Sequence, residues 1–307
     1  MTRFAVLVVL VAVAPLVLRY PELETQILTF GLLAVAFNLL LGEMGFLSFG
    51  QATFNGAGAY VAARALIDGH AALPLALLAG LVAGAVCAAL VGTLAIGGRG
   101  VYGVMLTFAF NEMAYYIAFQ WRDVTGGDNG LRGIPTPSLF GLSLDDATRY
   151  YYFTAVVVLL AFAAVLRIID SPFGAVLRAI RENEDRARAI GFRVRRYKIA
   201  AFAISGALSG LAGGLYAELF RFVPLQAIDL DTSTNVVIAT LLGGTGSPYG
   251  PLLGAAIFTV LSNSLSHVWS HWPLVFGLIF CAVVLFFRGG LWGVAGRLTG
   301  NRRAAHA

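Results

Sequence analysis

Lysine is all but missing. Lys198 is the only one in 307 residues, and Ile199 follows it. A phosphate-binding P-loop needs Lys followed by Ser or Thr, so this chain does not bind ATP in that manner, and any ATP must be hydrolysed by another protein. Cysteine is nearly as scarce: Cys87 and Cys281 both lie inside apolar runs, which implies neither a disulfide framework nor a CxxC site. No serine elbow and no HExxH motif occurs. Of the four histidines, His70 and His306 are isolated, while His267 and His271 sit beside Trp269 and Trp272 without a third ligand, as membrane-interface residues do. No catalytic constellation can be assembled, so neither catalytic residues nor a metal site is expected. Only 12% of residues are charged, and no hydrophilic stretch is long enough to bury a core of its own, which excludes a separate soluble domain.

What remains is apolar. Hydrophobic residues make up 59% of the chain and its mean hydropathy is +0.81. An all-α, polytopic membrane protein is expected, with about 8–10 spans of roughly 20 residues each. Apolar runs fall at 4–18, 27–41, 46–66, 73–96, 101–119, 150–169, 199–220, 236–242, 252–265 and 274–287. Two are too short for ordinary spans, and the count is ten crossings, or eight if short segments re-enter. The first resembles a signal peptide, but Pro15 follows its Ala12-Val13-Ala14 and would hinder cleavage, so an uncleaved anchor is expected.

Eight of the 21 Lys+Arg crowd into 171–198, which the positive-inside rule places in the cytoplasm together with Arg3, Arg99 and the arginine-bearing tail from Arg288. Both termini are then cytoplasmic, and 121–149, rich in aspartate, is the external loop. The pI near 9.4 is thereby a matter of topology, and no nucleic acid is expected as partner.

Within 171–198, Ser171-Pro172 reads as a helix start with Ser171 as cap, and Asn183 caps a second short helix that ends before Gly191. Phe173, Val176, Leu177 and Ile180 share one face. A loop lying on lipid headgroups accounts for the arginines, but Gly174, Ala175 and Ala179 suit close docking into a protein, and Glu182, Glu184 and Asp185 would be repelled by anionic lipid.

Polar side chains inside the spans are costly in lipid and face either a partner helix or a wet path. Ser48, Gln51 and Asn55 recur at helical spacing in the third run, and Thr107 and Asn111 do so in the fifth, with Glu112 adjacent. These six are the candidates for a translocation path, against the plainer reading of interhelical hydrogen bonds. Asn235 and Asn263 stand in late segments. Small residues spaced by four, Gly80, Gly84 and Ala88 in one run and Ser205, Ser209 and Gly213 in another, allow close helix approach. Gly243, Gly244 and Gly246 mark a turn at membrane depth that must be buried in protein or line the path. The stretch Thr125–Gly130 lacks the spacing of a nucleotide loop and reads as a tight external turn.

Six blocks together carry a family likeness: GFLSFGQATFNGAGAY (45–60), RGVYGVMLTFAFNEM (99–113), TGGDNGLRGIP (125–135), the basic segment 171–198, SGLAGGLYA (209–217) and LLGGTGSPYGPLLGA (241–255). The chain resembles the LivM-type permease subunit of branched-chain amino-acid ABC importers. One departure is Gly289, where the family usually has proline.

The resemblance implies a single transmembrane permease domain over 1–307 in a bacterial inner membrane. It also implies a heterodimer with a second related permease, two cytoplasmic ATPases that hold ATP and Mg, an extracytoplasmic binding protein, and no cofactor on this chain. It identifies 171–198 with the coupling loop, whose expected ATPase-facing residues are Phe173, Val176, Leu177, Ala179, Ile180, Glu182 and Asn183. Leucine, isoleucine and valine are the implied cargo. Relatives of this architecture also carry urea, short amides or other amino acids. An ion-coupled carrier using Glu43, Glu112 or Glu218 is the reading from another class.

Overall fold

The computed structural model describes residues 2–268 except 19, 70, 98, 99, 137, 140 and 141, and beyond them only 274, 277, 278, 281 and 290–293. Arg99, His70, His271, His306, the tail arginines and most of the last apolar run lie outside the described residues.

Helix follows helix: α1 (Thr2–Leu18), α2 (Pro21–Asn38, prolonged by a π-helical turn at Leu39–Glu43), α3 (Gln51–Ile67), α4 (Leu73–Ala95), α5 (Val101–Gln120), the short α6 (Arg122–Thr125), α7 (Ala147–Asp170), α8 (Pro172–Glu182), α9 (Glu184–Ala189), α10 (Val194–Phe220), α11 (Leu230–Gly243) and α12 (Gly250–Val268). Four of these, α2 with its π-turn, α4, α7 and α10, are long and apolar enough to cross a membrane by length and composition. The chain is an all-α polytopic membrane protein. Among the described residues strand is confined to two-residue pieces: β1 (Leu131–Arg132), β2 (Ser138–Leu139), β3 (Leu142–Ser143) and β4 (Phe222–Val223). β1 pairs antiparallel with β4, Leu131 opposite Val223, and so clips the 121–149 loop to the end of α10.

At the centre α10 packs against α3 and α4. Lipid gives apolar faces no reason to prefer one another, so helices associate by close fit and by hydrogen bonds. Gly84 of α4 meets Gly206 and Gly210 of α10 backbone to backbone, with no room for a Cβ, and Ala88 continues the same seam. The other side of α4 exposes Leu75, Leu78, Val82, Val86, Leu90 and Leu94, a plain aliphatic stripe suited to lipid. α5 behaves differently. It touches the bundle through Gly103, Thr107, Asn111 and Ala118 and leaves Tyr102, Met105, Met113 and Tyr116 exposed.

Two sequence readings are corrected here. Ser48 is not helical, because α3 begins only at Gln51, after an irregular stretch opened by Gly45 at φ +73°. Gly246 is exposed, so the buried part of the glycine turn is Gly243-Gly244, with Gly244 at φ +101° closing α11. The glycine-rich break before α3 touches the one after α11: a Cβ at Gly42 would lie 2.8 Å from Thr245 O.

Candidate functional site

Two places concentrate polar and charged chemistry: the basic loop at one end of the bundle and a buried polar centre within it.

In the loop, Pro172 occupies the first turn of α8, but Ser171 does not cap it. Its hydroxyl donates to Ile168 O at 2.6 Å instead. Asn183 does cap α9, its Oδ1 accepting from Arg186 N at 2.9 Å, and Gly191 follows α9 at φ +102°. The apolar face turns inward. Leu177 packs with Leu40, Met44 and Phe202, while Val176 and Ile180 pack with Ala187 and Val194, and all three are buried. Phe173 is half-buried and stacks on Tyr197, ring centroids 5.7 Å apart. This corrects the expectation that Phe173, Val176, Leu177 and Ile180 face a partner: the amphipathic face of α8 covers the chain's own helix ends, the nearest apolar surface to which it is covalently tied. Ala179 is half-buried, and Glu182 and Asn183 are exposed. The outward surface consists of these, the arginines, and two apolar side chains beyond α9, Ile190 at 71% and Phe192 at 37% exposure.

Charge holds the loop in place. Arg178 Nη1 lies 2.9 Å from Glu43 Oε2 and donates to Ile169 O at 3.1 Å, and Arg181 donates to Gly42 O. Both arginines of α8 are thus spent on the π-turn of α2 and the end of α7. Lys198 at the base of α10 reaches Glu184 of α9 at 2.7 Å. Sequence reading left these pairings unseen, because Glu43 lies more than a hundred residues from Arg178 and belongs to another run.

In the bundle centre, α3 starts inside the protein, where its first N–H groups have no water to bond. Side chains of other helices take that role. Phe49 N donates to Thr107 Oγ1 (3.1 Å), Ala52 N to Ser233 Oγ (2.9 Å) and Thr53 N to Asn111 Oδ1 (3.2 Å), while Gly50 N donates to Ser48 Oγ (3.2 Å). Asn111 Nδ2 donates in turn to Ile228 O at 3.0 Å. Gln51 bridges α10, its Nε2 donating to Ser205 Oγ at 3.0 Å and its Oε1 accepting from Ser209 Oγ at 2.7 Å. Ser48, Gln51, Thr107 and Asn111 are therefore buried and committed to holding helices together. Glu112 is half-buried on α5 and outside this network.

Asn55 opens onto a cavity. Its volume is about 310 Å³, and it lies among α2, α3, α10, α11 and α12. Gln26, Thr29, Asn235, Thr259 and Asn263 line it with Asn55, and Phe30, Leu33 and Phe258 supply apolar walls. Among the described residues no charged side chain lines it. Amides and hydroxyls against apolar walls suit a small molecule that is uncharged or zwitterionic. Asn235 and Asn263 were visible in the sequence as polar interruptions, whereas Gln26 and Thr29 near the start of α2 gave no such signal.

Comparison with known proteins decides the family. The family described as branched-chain amino acid transport system / permease component matches residues 22–288. The chain belongs to this permease family. The high-affinity branched-chain amino acid transport system permease protein LivM of Salmonella typhimurium is 30% identical over 283 residues, covering 83% of this chain and 65% of that protein, and LivM of Escherichia coli K12 matches to the same extent. The autoinducer 2 import system permease protein LsrC of Escherichia coli O9:H4 is 30% identical over 228 residues, covering 70% of this chain and 61% of LsrC. This permease thus spans just under two thirds of the length of the curated relatives it matches. No solved structure gives a significant match.

Proposed function

We propose that this chain is the transmembrane permease subunit of an ATP-binding-cassette importer for leucine, isoleucine and valine, working with a second related permease, two cytoplasmic ATPases and an extracytoplasmic binding protein. The observation that carries the reading is the 171–198 loop: two short helices, braced by Arg178–Glu43 and Lys198–Glu184, on a chain that has no P-loop of its own. A loop that must transmit force has to be stiff and firmly joined to the spans it moves, and both ion pairs serve that end. Closure of the ATPases on ATP would push the loop as a body, and α2, α7 and α10, to which it is joined, would follow.

The corrected geometry moves the docking surface. The ATPase is met by Glu182, Asn183, the outward arginines, Ile190 and Phe192, with the α8 apolar face acting as the joint to the permease itself. We place the second permease against α5, whose exposed Tyr and Met side chains differ from the leucine and valine stripe of α4. The uncharged cavity beside Asn55 is the best candidate for cargo in transit.

The test is purification and reconstitution. Isolation of this chain should bring an ATPase with it, and proteoliposomes holding the full assembly should take up labelled leucine only with ATP. Substrate-driven proton flux by the isolated chain would support the carrier reading instead, and uptake of urea in place of leucine would reassign the cargo.

A further inference from the structure

At the end of α10 remote from the basic loop, Glu218 is 2% exposed and neither carboxylate oxygen accepts a hydrogen bond. A carboxylate without partners at that depth is costly, and the cost is relieved when a cation binds. Glu218 lines a cavity of about 190 Å³ together with Glu22, Asp145, Tyr150 and Arg221. Among the described residues Arg221 is the only cation in that lining, and it is paired with Asp145. The Tyr150 hydroxyl donates to Leu215 O at 2.7 Å and so has no proton to offer Glu218. With Arg221 and Asp145 engaged with one another, the Glu218 and Glu22 carboxylates stand outside that pair, and the cavity favours positive charge.

Size and continuity narrow the ligand. The space accommodates a group of a few heavy atoms. A second cavity shares Glu22 and Ala147 with it and runs on to Gln26 and Asn263, which also line the uncharged cavity beside Asn55. An acidic mouth therefore adjoins a neutral chamber through a polar strip on α2. Glu24, also buried, lines none of the three cavities.

We infer that the Glu218 cavity is a binding site for the protonated primary amine of a small ligand, with Glu218 and Glu22 as its anionic partners. That the ligand is the importer's cargo rests on the function proposed above, whereas the amine chemistry rests on the cavity.

The experiment uses the purified permease–ATPase assembly and two analogues of leucine, each lacking one charged group: 3-methylbutylamine and 4-methylpentanoate. Saturation-transfer NMR should detect the amine and not the acid. Glu218→Gln, which keeps the size and removes the charge, should weaken amine binding by about tenfold or more. If that variant does not assemble, Glu22→Gln should weaken binding in the same sense. Unchanged amine affinity in the assembled variants, equal binding of the acid, or displacement of the amine by equimolar sodium would overturn the assignment. Leucine uptake by the wild-type assembly separates the two claims. Uptake with an amine affinity indifferent to Glu218 and Glu22 rejects this site and leaves the importer reading standing, and a charge-dependent amine site in an assembly that imports no amino acid does the reverse.

Discussion

The Arg178 guanidinium lies 2.9 Å from the Glu43 carboxylate and ties the first helix of the basic loop to the π-turn that ends α2. The Glu43 side chain is 12% exposed and that of Arg178 46%, so the pair is half-screened by solvent and its worth to stability is about 1 kcal/mol. Its larger effect in the proposed coupling route is mechanical. Arg178→Ala and Glu43→Gln should each leave the assembly intact by size exclusion while ATP hydrolysis continues and uptake falls severalfold. The exchange Arg178→Glu with Glu43→Arg should restore part of the uptake. Equal uptake by both single variants and wild type would remove the pair from the coupling route.

The polar centre tests the proposed division of scaffold from path. Asn111→Ala leaves Thr53 N–H and Ile228 C=O without their partner, at about 1–3 kcal/mol for each buried group before relaxation. The expected outcome is a lower melting temperature in detergent, with uptake falling in proportion to the folded protein recovered. Asn55 makes a single long hydrogen bond, 3.5 Å to Ala227 O, and faces the cavity. Asn55→Ala should therefore change the concentration dependence of uptake with little change in melting.

Which of these features was legible in the sequence follows from how local each one is. The helices, the Asn183 cap and the Gly191 stop depend on a few consecutive residues, and composition with spacing revealed them. Partner choice is not local. An apolar stripe on α8 says that Val176, Leu177 and Ile180 will be covered, but not whether a partner or the chain's own α2 and α10 will cover them. The same holds for Gln51, whose partners Ser205 and Ser209 lie about 150 positions away and were read only as small packing residues. Two-residue pairings such as Leu131 with Val223 carry no periodicity at all and were invisible.

The orientation proposed from the charge bias is tested directly. In a background free of Cys87 and Cys281, a cysteine at Asp146 should react with an impermeant thiol reagent in intact cells, and one at Arg186 should react only after lysis. Both positions are exposed, so access to the reagent depends on the side of the membrane. Labelling of position 186 from outside would reverse the topology.

The glycine turn after α11 makes a sharp contrast between neighbours. Gly244 holds φ +101° and ψ +127°, a region closed to residues with a Cβ at a cost of about 1–3 kcal/mol, and it is buried. Gly246, two residues on, is exposed and has no positive φ. Gly244→Ala should reduce the yield of assembled permease and lower its melting temperature, whereas Gly246→Ala should be neutral in both. Equal tolerance at the two positions would show that the turn has room to rearrange.

Ile180 and Ile190 test the proposed division between a joint within the permease and a surface offered to an ATPase. Ile180 is 4% exposed, packed with Val176, Ala187 and Val194, and an aspartate there would be an unpaired charge in an apolar contact, costing several kcal/mol. Ile180→Asp should therefore unravel the loop and lower the amount of folded permease. Ile190 is 71% exposed, and Ile190→Asp should change stability by no more than about 0.5 kcal/mol. If an ATPase covers this side chain, the same substitution places a charge in a closed interface, so co-purification and uptake should both drop while insertion and melting stay normal. Retention of the ATPase by Ile190→Asp, with its loss in Ile180→Asp at normal permease levels, would return the docking face to α8.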